Sequence, residues 1–435
     1  MSEHMDAREK RRKRRKKNQR IAYFVTILFL LSLFIGIFFG TKYILQKVES
    51  AKTEMEAKEE IEQENEQVVI VPTEEPVVIP IEEPDVLGEL ADGIISNMTL
   101  EEKVASLFMI TPEALTGYNQ VVKAGESTKE ALTQYSVGGV IYFSKNLQTE
   151  EQVKEMLTNT IQYSKYVPFI AIDEEGGEVS RIANSNFAAT KYENMNILGA
   201  TMTGEEAIQM GDTIGTYLAK YGFNLDLAPV ADVLINEKSP MKNRIFSADP
   251  SVVASLSSGV VTGIQGQEIS ACMKHFPGLG SVVEDSHVAL PSTDRTLAEM
   301  RQVEFLPFIT GIEAGVDMIM VGHLATPQIT ETMIPASMSK IMISEILRDE
   351  LGFEGIIITD SLQMEAITRT YSSKDAAITA ISAGADMLLM PENFEEAYQG
   401  IMEAIENGII SEDRIDESLH RIFCVKYKYT SLADQ

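Results

Sequence analysis

Short, nearly continuous apolar runs recur along the chain from about residue 106 onward, each separated from the next by a longer stretch with helical apolar spacing. Eight of them read as strands: SLFMI (106–110), GGVIYF (138–143), PFIAID (168–173), FNLDLAP (223–229), SACMKHFP (270–277), MIMVGH (318–323), GIIITD (355–360) and DMLLM (386–390). Runs this apolar are covered on both faces, as parallel strands are when helices flank them. Eight strand–helix units predict an α/β chain folded as a (β/α)8 TIM-type barrel, with a doubly wound sheet as the competing architecture. Helix signals agree. Thr99 and Glu102 in TLEE predict a capping box ahead of an apolar run, and Ile415, Leu419, Ile422 and Phe423 form a helical stripe able to close the barrel. The sequence ends shortly beyond that stripe, and no second domain is expected.

Near the N-terminus the pattern is different. Residues 21–41, IAYFVTILFLLSLFIGIFFGT, run without a charge and are long enough to cross a hydrocarbon core as a helix. The basic block REKRRKRRKKNQR (8–20) precedes them, and Lys42, Tyr43 and Ile44 follow where a cleavage site would carry small residues. The expected layout is a basic cytoplasmic tail (1–20), an uncleaved single-pass transmembrane anchor (21–45), an acidic, proline-containing stalk (46–87) and a folded barrel (88–435). Because Lys and Arg beside a membrane helix stay on the cytoplasmic side, the barrel is expected outside the cell membrane.

Charge narrows the partners. The chain holds 37 Lys and Arg against 65 Asp and Glu, a net charge of −28. Residues 1–45 contain 11 of the basic and 3 of the acidic residues, so the remainder is strongly acidic. Such a surface excludes nucleic acid and anionic lipid as partners and leaves the N-terminal helix as the membrane contact. Cys272 and Cys424 could pair in an oxidising compartment, and two buried free thiols are the alternative reading.

In barrels of this type chemistry sits where strands end and loops begin. Asp173 closes the third run, Lys274 and His275 the fifth, His323 the sixth and Asp360 the seventh, so five polar residues converge on one rim. A metal-dependent hydrolase usually opens with paired histidines on an early strand, and the first run here has none. Chemistry at a glycosidic carbon needs one carboxylate to attack and one proton donor for the leaving oxygen. Asp360 supplies the first. The loop KHFPGLGSVVEDSH (274–287) offers the second, with Asp285 two residues from His287 and able to polarise its imidazole.

The segments MTLEEKVASLFMI, GGVIYF, AIDEEGGEVSRI, LDLAPVADV, NRIFSADP, KHFPG, EDSHVALP, MVGHLATP and GFEGIIITDSLQMEAI together resemble the catalytic barrel of family 3 glycoside hydrolases. They are most similar to the single-domain β-N-acetylglucosaminidase branch, in order over about residues 94–428. The resemblance implies Asp360 as nucleophile and His287 as general acid/base with Asp285 as its partner. It implies substrate contacts from Asp173, Arg181, Arg244, Lys274 and His275. It also implies an exo-acting, retaining enzyme that needs no metal or other cofactor, and, with the external location, N-acetylglucosamine (GlcNAc)-containing wall glycans as substrate. A phosphorylase or other β-glycosidase of the same family, or an inactive wall-glycan-binding barrel, are the rival readings. The loop departs from the common Gly-His-Gly-Asp pattern at Leu279 and Ser281, and Glu178 stands where a basic residue is frequent, which bears on rate and aglycone preference more than on reaction class.

Overall fold

The computed structural model describes residues 85–283 and 289–429. The basic tail, the apolar run 21–41, the stalk up to residue 84, and Asp285 with His287 lie outside the described residues. Among the described residues, no helix is long and apolar enough to cross a membrane.

The eight apolar runs each contribute a strand. In chain order they are β1 (Phe108–Ile110), β2 (Gly139–Ile141), β3 (Phe169–Ile172), β6 (Leu225–Asp226), β7 (Ser270–Phe276), β8 (Met318–Val321), β9 (Ile356–Thr359) and β10 (Leu388–Leu389). A small antiparallel hairpin, β4 (Glu174–Gly176) with β5 (Val179–Ser180), is inserted directly after β3. The large sheet runs β10-β1-β2-β3-β6-β7-β8-β9, every adjacent pair parallel. A parallel bridge between Ile358 and Met387 joins its two ends, so the sheet is a nearly closed barrel of the TIM type and not an open doubly wound sheet.

The strands are short, and every residue in the eight is buried. Around them run amphipathic helices whose ends follow ordinary capping chemistry. The Thr99 hydroxyl oxygen accepts from the Glu102 amide, and the Glu102 carboxylate accepts from the Thr99 amide at 3.2 Å. Each such cap is worth on the order of 1 kcal/mol. Asp85 caps Val86–Ile95 through a 2.9 Å bond from the Gly88 amide, so residues 85–87, assigned by sequence to the stalk, belong to a capped helix of the barrel unit. The last helix, Glu412–Tyr427, buries Ile415, Leu419, Ile422 and Phe423 completely. Each of these side chains contributes roughly 1.5–3 kcal/mol by leaving water. Cys272 is buried, Cys424 half-buried, and both are free thiols.

Candidate active site

A cavity of about 690 Å³ opens at the carboxyl ends of the strands. Its apolar floor includes Ile141, Leu227, Met320 and Leu389. These belong to, or directly follow, β2, β6, β8 and β10, every second strand of the ring, which is the layering expected of a packed barrel interior. The polar residues come from the strands between: Asp173 follows β3, Lys274 lies in β7 and Asp360 follows β9. Alternation around the ring thus sets a charged tier on an apolar one.

On the β3 side the charges form a closed network. The Lys274 ammonium, 2 % exposed, lies 2.7 Å from Asp173 Oδ1 and 2.7 Å from Glu175 Oε1. Arg244 donates to Glu175 through Nε at 2.8 Å and Nη2 at 2.6 Å, the bidentate geometry a guanidinium favours. Arg181 donates to Asp173 Oδ2 at 3.2 Å. Burial alone would push the Glu175 carboxyl up, but Arg244 and Lys274 outweigh it and bring its pKa down to about 2. Asp173 is likewise lowered against its burial, by Lys274 and Arg181.

The hairpin that aims Arg181 is held from beneath by Glu174. This buried carboxylate accepts from the amides of Arg181 (2.7 Å), Ile182 (2.8 Å) and Ala183 (2.8 Å) and from the Tyr217 hydroxyl (2.9 Å). Gly176 and Gly177 make the tight turn, both at positive φ that other residues adopt only under strain.

His275 is fixed by Asp232, which is fully buried. Asp232 Oδ2 lies 2.9 Å from His275 Nδ1, and its Oδ1 accepts the Leu279 amide at 2.6 Å. One carboxylate therefore orients the imidazole and starts the following loop. Gly280 continues it: a Cβ there would sit 1.9 Å from the Val233 carbonyl, and the Gly280 carbonyl accepts the Ile235 and Asn236 amides. Leu279 is buried in a small apolar cluster with Val230, Met241, Ile245, Val282 and Leu324. Ser281 Oγ bonds Thr293 Oγ1 across the loop at 3.2 Å. At the two departures from the familiar motif, then, the chain has replaced polar groups by packing and by one hydroxyl bridge. Leu279, Val282 and Pro291, which flank residues 284–288, line the cavity.

Asp360 lies on the β9 side, outside that ion network. Its Oδ1 accepts the Ser361 amide at 2.7 Å. Burial would raise its pKa, but His323, His275, the Ser361 amide and Lys274 together hold it below the ordinary value of 3.8. It is an ionised carboxylate facing open space. His323, fully buried, lies 2.8 Å by Nδ1 from Ser337 Oγ and 2.8 Å by Nε2 from the Ser361 carbonyl. Since a carbonyl can only accept, Nε2 carries a proton.

Of the nine residues singled out by sequence, six, Asp173, Arg181, Arg244, Lys274, His275 and Asp360, line this one cavity, whereas His323, expected on the rim, is fully buried and does not line it. Asp285 and His287 are outside the described residues. Sequence reasoning passed over Glu174, Glu175 and Asp232. The signal for the first two was two further acids directly after Asp173; for Asp232, a lone acid between apolar neighbours in APVADV. Among the described residues, no group of three or more His, Cys, Asp or Glu is arranged to hold a metal ion.

Comparison with known proteins bears on the family and the fold. Residues 99–425 match the model for the glycosyl hydrolase family 3 N-terminal domain. The chain is 34 % identical over 329 residues to a beta-hexosaminidase A of Pseudoalteromonas piscicida, covering 69 % of this chain and 54 % of that protein. It is 32 % identical over 278 residues to a beta-hexosaminidase of Chromobacterium violaceum, covering 62 % and 76 %. Among solved structures, a family 3 β-N-acetylglucosaminidase from a Paenibacillus species superposes with a TM-score of 0.71 at 34 % identity, covering 76 % of this chain and 62 % of that one. The chain thus spans about half the length of the Pseudoalteromonas protein.

Proposed function

Because the chain belongs to glycosyl hydrolase family 3, we propose that it is an exo-acting β-N-acetylglucosaminidase that works with retention through a covalent glycosyl–Asp360 intermediate. The observation carrying this reading is the half-buried, ionised Asp360, set across the cavity from the Asp173–Lys274–Arg181 network. β3 and β9 stand four places apart in a ring of eight, so the network and the carboxylate face each other. A terminal sugar lies between them with its hydroxyls on Asp173, Lys274 and Arg181, and with its anomeric carbon toward Asp360. Arg244 and His275 complete the substrate side.

In the first step an Asp360 oxygen bonds the anomeric carbon while the glycosidic C–O bond breaks, and His287 gives its proton to the departing oxygen. Asp285 orients the imidazole. In the second step the now neutral His287 takes a proton from water, whose oxygen replaces Asp360 on the sugar. The relatives' beta-hexosaminidase names support an N-acetylhexosamine at the cleaved end. The uncharged run 21–41 behind its basic block supports a cell-membrane anchor with the barrel outside, where wall glycans are the GlcNAc-bearing polymers at hand.

The test is turnover of chromogenic β-N-acetylglucosaminide and β-glucoside side by side, each with and without phosphate. Hydrolysis of the first alone, indifferent to phosphate, is expected. Phosphate-dependent release of sugar 1-phosphate would make the chain a phosphorylase, and binding without turnover would make it an inactive wall-glycan receptor.

A further inference from the structure

The stretch of chain between β7 and the next helix leaves the barrel and rejoins it by two legs, and each leg is pinned to a different part of the ring. The outgoing leg, residues 279–280, is bonded to the chain that follows β6: the Leu279 amide donates to Asp232, and the Gly280 carbonyl accepts the Ile235 and Asn236 amides. The returning leg, residues 291–293, is bonded to the chain that follows β8. The Pro291 carbonyl accepts the Ala325 amide at 2.9 Å, and the Thr293 amide donates to the Ala325 carbonyl at 3.0 Å. Backbone pairing thus places each leg, but against separate neighbours.

Two side-chain ties cross from one leg to the other. The first is the hydroxyl bridge, in which half-buried Ser281 donates through Oγ to Oγ1 of buried Thr293 at 3.2 Å. The second is Glu304, buried at the start of the helix Phe305–Glu313. Its stem packs so closely on Gly278 that a Cβ there would stand 2.9 Å from Glu304 Cγ. Its carboxylate pairs with Arg295 beyond the returning leg, whose Nη2 donates to Oε2 at 2.9 Å. The Arg295 amide donates in turn to the Thr293 hydroxyl at 3.4 Å, so Thr293 Oγ1 is the joint at which both ties meet.

His287 stands midway in sequence between Ser281 and Thr293. A proton donor works only within hydrogen-bond reach of the departing oxygen, and the bridge fixes the two ends of the segment that carries it. We infer that Ser281 and Thr293 are positioning residues for the proton transfer: neither lines the cavity, and both act through His287. This rests on the glycosidase reading of the cavity, with His287 as donor. Ser281 stands where the related motif carries an acid, so here the tie is a neutral hydrogen bond, insensitive to salt. Such a bond is worth about fivefold, a small part of the roughly 100- to 10,000-fold that general acid catalysis supplies.

The experiment uses the full chain with phenyl and dinitrophenyl β-N-acetylglucosaminides, which share a sugar and differ in their need for a proton. Ser281→Ala and Thr293→Val should each lower kcat/KM on the phenyl substrate by about fivefold and on the dinitrophenyl substrate by less than about twofold. The double variant should be no slower than the slower single by more than about twofold, because both changes remove one bond. Thr293→Ser keeps the hydroxyl and should keep the parent's ratio between the two substrates. Both substrates are measured on one preparation, so the ratio is independent of the fraction that folds. Single variants that leave the ratio at the parent's value, a double variant whose loss is the product of the two singles, or a Thr293→Ser chain that behaves like Thr293→Val overturns the inference alone. A parent inert on both substrates overturns the glycosidase reading, and an unchanged ratio in His287→Ala overturns the assignment of the donor; the inference falls with either.

Discussion

Replacing Glu175 by glutamine keeps the side chain's shape and removes one charge from the centre of the ion network. The residue is 3 % exposed and touches both Arg244 and Lys274. Its pKa falls from the ordinary 4.5 to about 2 in the fold because the two cations overcome the burial that would raise it. That gap corresponds to about 3 kcal/mol of stability. Since the folded value is the lower one, the contribution is fully present above about pH 4.5 and is lost as pH falls toward 2. Glu175→Gln should therefore cost about 3 kcal/mol at neutral pH and nearer 2 kcal/mol at about pH 3.5. Removing one member of a buried pair gives a similar range, about 3–5 kcal/mol. Urea unfolding followed by far-UV circular dichroism and tyrosine fluorescence measures it; the chain has 14 tyrosines and no tryptophan. A loss below about 1 kcal/mol at neutral pH, or a difference that grows on acidification, would refute the reasoning.

Three further outcomes are expected. His323→Gln removes the leading group that keeps Asp360 ionised against its burial, so the acidic limb of kcat/KM on a neutral chromogenic substrate should move to higher pH; an unmoved limb would detach His323 from Asp360. His287→Ala should slow substrates with poor leaving groups by about 100-fold or more while sparing activated aryl glycosides, and equal slowing of both would make the histidine a scaffold residue. Protease added to intact cells should remove the barrel and spare the N-terminus. Protection of the barrel until lysis would reverse the proposed orientation.

The barrel was legible because each of its eight strands is buried on both faces and so reads as an apolar run. Strand limits were less so. FNLDLAP yields only Leu225–Asp226 as strand, although Asn224, Leu227 and Ala228 keep single backbone bonds to the neighbouring strands. The β4–β5 hairpin escaped because EEGGEVS has no apolar alternation; its shape comes from two glycines and from the amides gathered on Glu174. The acids that organise the site, Glu174, Glu175 and Asp232, look in sequence like solvent-facing residues. Their burial depends on partners distant along the chain: Tyr217, Arg244, Lys274 and His275. Asp173, Lys274 and Asp360 were found because they stand at strand ends, where local sequence and tertiary position coincide. Arg181 and Arg244 came only from resemblance, as nothing in their local spacing sets them apart.

The central claim is that Asp360 forms the bond to the sugar. Incubation with a slow fluorinated GlcNAc donor, followed by proteolysis and mass spectrometry, tests it most directly. A single glycosyl adduct on Asp360, absent from Asp360→Asn, is the result expected of a retaining enzyme with this nucleophile. An adduct on another carboxylate, or steady turnover of the donor with inversion at the anomeric carbon, would contradict it.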